Sequence, residues 1–164
     1  MTKHLATILA VLVFASAGCG GKKDDGAPSA SGKTAEKAGG STSTKLDQLG
    51  GLTIDFAGSV GKAIGGDGVM IQGDNGIVTI EEVKAPKKVE DAKSDADMYS
   101  PKNYKEEKLA DGYALTYENS GSMGANYFVD VQRTIAGKTY HCSTTGNSAD
   151  QQQAVLAACK SLKK

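Results

Sequence analysis

Leu52, Ile54 and Phe56 alternate with Thr53 and Asp55, which sets three apolar side chains on one side of an extended segment and predicts a half-buried strand. Residues 69–72 and 77–83 predict two more. Asp74-Asn75-Gly76 joins them, and Asn and Gly tolerate the positive φ that a tight hairpin turn requires. The period then changes. Val89, Ala92, Ala96 and Tyr99 recur at helical spacing, giving one apolar stripe on a charged helix over about 88–99. Pro101 disfavours a helical Ser100 and ends it. Four strands follow at 104–109, 113–118, 126–135 and 138–144. Ser148 with Gln151 then forms a capping box, and Val155, Ala158, Cys159 and Leu162 line one face of a closing helix.

The resulting order is three strands, a helix, four strands and a helix. It predicts an α+β fold: a mostly antiparallel sheet of six or seven strands, one amphipathic helix after strand three, and a C-terminal helix packed on the sheet. This order, over residues 51–164, resembles the PsbP/DcrB-like domains of envelope and thylakoid-lumen proteins. The resemblance implies a fold and no functional residue.

Upstream of that domain the pattern is of another kind. Lys3 and His4 precede an apolar run from Leu5 to Phe14, and small residues lead to Cys19, the layout of a secretory signal peptide over 1–18. The run is about half of the roughly 20 residues a membrane-spanning helix needs. Ser16-Ala17-Gly18-Cys19 resembles the lipobox of bacterial lipoproteins, with Ser16 where Leu is commonest. The resemblance implies cleavage before Cys19, acylation of its sulfur and amine, and attachment to the membrane. Gly20 after the Cys, where Asp signals retention, implies the outer membrane of a bacterial envelope. Residues 19–50 then read as a disordered tether, because 20–45 contain no Val, Ile, Leu, Met or aromatic residue with which to offset the entropy of ordering. The single folded domain is expected over 51–164.

Composition removes whole classes of function. Nineteen basic residues balance nineteen acidic ones, so the chain lacks the positive field that nucleic-acid binding draws on. At 164 residues, with no Trp, it has room for one modest core. The P-loop-like run Ala27–Thr34 lies in the tether without the strand and helix a phosphate cradle needs. An EF-hand reading around Gly76 and Glu82 fails because Ile71 and Gly73 occupy ligand positions. No cofactor motif is present.

Cys142 and Cys159 both point into the expected sheet–helix interface, and in an exported chain their default is a disulfide. A zinc site through His141, Cys142 and Cys159 is disfavoured, since adjacent strand residues point to opposite faces. A redox pair lacks the C-x-x-C spacing.

If Ala136-Gly137 makes a two-residue turn, residue 132 faces 141 and 130 faces 143. Asp130, Gln132, His141 and Ser143, with Phe128 and Thr139 beside them, then share the sheet face opposite the disulfide. The ordinary reading is a solvated sheet face; a recognition surface is the functional one. A hydrolase using His141, Asp130 and Ser143 is the catalytic alternative, on a flat sheet without an oxyanion hole. Ser120-Gly121-Ser122-Met123-Gly124 imitates a nucleophile elbow but joins two strands, and Met123 there is a candidate partner contact. Tyr113, Tyr117, Tyr127 and Tyr140 are read as one core face with hydroxyls at its rim.

The expectation is a lipid-anchored envelope protein that serves as a non-catalytic binding or structural module. Its partner is the membrane through Cys19, with an envelope protein or small ligand besides. An inhibitor of a foreign hydrolase such as lysozyme is a further alternative.

Overall fold

The structure, a computed structural model, describes residues 42–122 and 124–164. The expectations for residues 1–41, including the signal peptide, the lipidated Cys19 and most of the tether, and the expectation for Met123, lie outside the described residues. Among the described residues the elements are β1 (Ser43–Leu46), a 3₁₀ turn (Asp47–Leu49), β2 (Leu52–Asp55), β3 (Ser59–Lys62), β4 (Val69–Gly73), β5 (Gly76–Val83) and α1 (Val89–Asp97). There follow β6 (Lys102–Leu109), β7 (Gly112–Gly121), β8 (Gly124–Ile135), β9 (Lys138–Gly146) and α2 (Ala149–Ser161).

Seven strands form one antiparallel sheet in the order β3-β4-β5-β9-β8-β7-β6, and β1 and β2 pair as a separate two-stranded sheet. The connection through α1 carries the chain from the middle of the large sheet to its far edge. The meander β6 to β9 then brings it back, so that β9 pairs with β5. The Ala136-Gly137 turn, with φ of 51° and 79°, has the two positive φ values of a type I′ hairpin. Register follows from it: Gln132 faces His141 and Asp130 faces Ser143.

The α+β class, the antiparallel sheet and the C-terminal helix on it are present. Two details differ from the sequence reading. The first helix follows the fifth strand, because β1 and β3 precede it unannounced. The residues of β3 are exposed or half-buried, so no buried face writes an alternation into its sequence. The folded part also begins earlier than residue 51. Leu46 and Leu49, assigned to the tether, are buried in the main core, and β1 pairs with β2 from Ser43↔Asp55 to Leu46↔Leu52.

The core lies between the large sheet and α2. Val78, Ile80, Val129, Val131 and Cys142 of the sheet meet Val155, Ala158, Cys159 and Leu162, with Leu46, Leu52 and Ile54 joining from the small sheet. The Cys142–Cys159 disulfide bridges β9 to α2, with Cα atoms 5.6 Å apart. Ser148 caps α2 by accepting from the Gln151 N–H at 3.3 Å. At the other end, the Arg133 guanidinium donates to the carbonyls of Lys160 and Leu162, carbonyls that a helix end leaves without partners. Asp111 holds that guanidinium by hydrogen bonds from Nε and Nη2 at 2.8–3.1 Å.

A second, smaller core lies on the opposite face. There Ala92 and Ala96 of α1 cover Tyr113, Leu115 and Tyr117 of β7. The four tyrosines therefore do not share one face. Tyr113 pairs with Gln132 and Tyr117 with Phe128, which places both under α1, whereas Tyr140 lies in the α2 core and Tyr127 pairs with Gly146 on that same side. Both faces of β7 are buried, so alternation there could not tell one core from the other.

Candidate functional site

The face opposite the disulfide is concave. The nine-residue α1 covers β6 and β7, and beside it lies a cleft of about 420 Å³ lined from β5, β7, β8 and β9 and by Tyr99, just past the end of α1. The floor is a cross-strand set of polar side chains: Thr79 from β5, His141 and Ser143 from β9, and Asp130 from β8. The wall is aromatic. Phe128 stacks on Tyr117 with ring centres 4.6 Å apart, Tyr99 stacks on Phe128 at 6.0 Å, and Tyr104 lies against Tyr117 at 5.6 Å.

The polar centre is His141. Its Nδ1 lies 3.2 Å from Glu81 Oε1 and its Nε2 lies 3.3 Å from Asp130 Oδ1. Both nitrogens can donate only when the ring is protonated. Burial works to lower the His141 pKa, but the hydrogen bonds and charges of Asp130 and Glu81 together outweigh it and leave the value above 6.5. Asp130 Oδ1 also accepts from the Tyr113 hydroxyl at 3.3 Å. Burial, and then the Asp130 charge, push the Tyr113 phenol well above its ordinary range, so it remains a donor. His141 and Asp130 also line a smaller cavity of about 170 Å³ beneath the 83–87 segment, so this pair stands between the two hollows.

The structure brings the expected residues together and sorts them by what they do. Phe128, Asp130, His141 and Ser143 line the cleft. Gln132 does not belong to it. Its side chain is 8% exposed and its amide clamps Lys87, accepting from the backbone N–H at 3.0 Å and donating to the carbonyl at 2.7 Å. Thr139 is likewise withdrawn, its hydroxyl 3.0 Å from that of Thr134. The Ser120–Gly124 segment closes the β7–β8 hairpin, with Gly121 opposite Gly124.

The expected solvated face is covered by α1 only over β6 and β7; over β5 and β9, Thr79, His141 and Ser143 stay half-buried and Ile77 and Thr145 exposed, with Tyr99 beside them. The Ser–His–Asp hydrolase is not assembled. Each imidazole nitrogen lies against a carboxylate oxygen, at 3.2 and 3.3 Å, and among the described residues no hydrogen bond joins Ser143 to His141. Both candidate zinc sulfurs are spent in the disulfide. Among the described residues no group of three or more His, Cys, Asp or Glu is placed to hold a metal ion.

Sequence reading missed the rim. Tyr99 is 53% exposed and Ile77 42%, two of the few large apolar side chains in water, and both line the cleft. The Tyr99 carbonyl accepts from Asn119 Nδ2 at 3.3 Å, and Asn119 in turn accepts from Asn126 at 2.7 Å. Just beyond, Ser100 and Asn103 have φ of 51° and 55°, left-handed conformations that side chains other than glycine adopt at a cost. The available signal was an aromatic residue two positions before Pro101, at the end of the helical stripe. No known family matches the chain, and no curated protein or solved structure matches it.

Proposed function

We propose that the protein is a lipid-anchored component of a bacterial cell envelope, held at the outer membrane through Cys19, whose α+β domain works by binding. The observation that carries the binding reading is the cleft: an aromatic wall and a polar floor in one hollow, with the central histidine clamped by two carboxylates. A cleft of this size lies within the ~300–1,000 Å³ range of ligand sites. Support for export comes from the Ser16–Cys19 run and from the Cys142–Cys159 disulfide, a bond that persists in oxidising compartments.

Two measurements test the two halves. The intact mass of the protein purified from membranes is expected to equal residues 19–164 plus acyl chains, and to rise by two hydrogens on reduction. An unacylated mass sinks the anchor. A photo-crosslinking residue substituted at Tyr99 is expected to capture an envelope component that the same group at Gln153, on the α2 face, does not. Identical yields from both positions remove the cleft as the binding surface.

A further inference from the structure

The cleft's unsatisfied chemistry narrows the class of ligand, on the premise that the domain binds there. Among the described residues the hydroxyls of Thr79, Ser143 and Thr145 and the Oδ2 of Asp130 make no hydrogen bond, although all four residues line the cleft. None of these atoms is buried away from water: Thr79, Asp130 and Ser143 are half-buried, Thr145 is exposed, and among the described residues no buried side-chain polar atom lacks a partner. What distinguishes this place is that these solvent-facing donors and acceptors sit together beside an aromatic wall.

Charge and geometry exclude the alternatives in turn. An anionic ligand finds no free cation, because His141 is already shared between Glu81 and Asp130 and no Lys or Arg lines the cleft. A quaternary amine would also meet the Tyr99 ring, but the carboxylate that would answer its charge, Asp130, already faces His141 Nε2 at 3.3 Å. An acyl chain gains little from a floor of hydroxyls and a carboxylate. An extended peptide needs a free strand edge, and β5, β9 and β8 are interior strands paired on both sides.

We infer that the cleft takes a neutral saccharide, a mono- or disaccharide unit laid with its C–H face on Tyr99 and its hydroxyls on Asp130, Ser143 and Thr79. Sugar hydroxyls both donate and accept, which suits a floor made of one acceptor-only carboxylate and several hydroxyls. The exposed ring of Tyr99 is the one aromatic surface left open to stack. Its backbone is fixed by the Asn126–Asn119 amide chain, so the platform is in position before the ligand arrives.

The test is a titration of the full isotope-labelled chain in detergent, followed by amide NMR shifts, with cellobiose and N,N′-diacetylchitobiose as probes. Tetramethylammonium and inorganic phosphate serve as contrasts. The expected result is saturable shifts around residues 99, 130 and 143 with one of the disaccharides, weakened at least tenfold by Tyr99→Ala and by Asp130→Asn. Gln153→Ala on the opposite face is expected to leave them unchanged. Should Asp130→Asn fail to fold, the double variant Thr79→Val, Ser143→Ala removes the open hydroxyls and carries the same expectation. Shifts with tetramethylammonium or phosphate and none with either sugar overturn the saccharide assignment while leaving a binding cleft. Silence with all four probes also overturns it, and the crosslinking from position 99 then judges the binding reading separately.

Discussion

On the face covered by α2, Val131, Cys142 and Ile80 stand in one cross-strand row with none of their surface in water. One residue along the same strands, Gln132, His141 and Glu81 make the matching row on the other face, and it is polar throughout. The two rows share backbone, hydrogen-bond ladder and neighbours, so the difference is the work of side chains and of the helix laid over them. The 13-residue α2 is capped at both ends and covalently stapled; the nine-residue α1 buries only Ala92 and Ala96 fully, with Val89 and the Tyr104–Lys93 hydrogen bond beside them, and leaves β5 and β9 uncovered. One side of the sheet carries the stability and the other has open polar groups to spare.

That division can be broken most forcefully on the α2 side. Cys142→Ser with Cys159→Ala, or reduction of the native chain, is expected to lower unfolding stability by about 3 kcal/mol, the usual worth of closing a loop of this length. Denaturant midpoints with and without reductant check it, and midpoints that coincide would contradict the division. Next in size is Arg133→Met, which strands the Asp111 carboxylate and two carbonyls at the end of α2, with an expected loss of about 2 kcal/mol. Amide exchange is expected to accelerate at 160–162 before anywhere on the cleft side.

Changes on the α1 side are smaller, and one of them depends on pH. Because the folded His141 pKa is raised, the imidazolium contributes stability that is fully present below 6.5 and is lost as pH rises through the raised value. The groups facing it are Glu81 and Asp130, with Tyr113 and Lys87 beside Asp130. Thermal midpoints are expected to fall across that window in the native chain and to stay level there in His141→Gln. A level native profile counts against the clamp. Smallest of all, Tyr99→Ala is expected to move stability by no more than about 0.5 kcal/mol, as for an exposed surface residue, while weakening saccharide binding at least tenfold. A Tyr99 variant that unfolds readily would make that ring a structural residue.

What was legible in the chain follows from which residues have one job. Leu52, Ile54, Val155 and Leu162 pack on one side and face polar neighbours, so their periods named both element and interior. Ala136-Gly137 fixed a register from backbone chemistry alone, and with it the meeting of Asp130, His141 and Ser143. The two faces of β7 are both dry, so Tyr113 and Ala114 looked alike in pattern although they belong to different cores. Gln132 read as a surface amide, because nothing local reveals that its partner is the backbone of Lys87, 45 residues away. The cleft was out of reach for the same reason: it exists where α1 ends relative to β9, a distance that no spacing records.

The small sheet gives the domain a separate entrance for mechanical load. β1 pairs only with β2, and β2 is knitted at Thr53 to Lys163 by a pair of backbone hydrogen bonds of 2.8 and 3.0 Å. The first and last strands of chain in the folded part are therefore fastened to each other. A pull applied at Thr42 acts first on this short two-stranded clasp, whose Leu46, Leu52 and Ile54 are packed into the main core behind it.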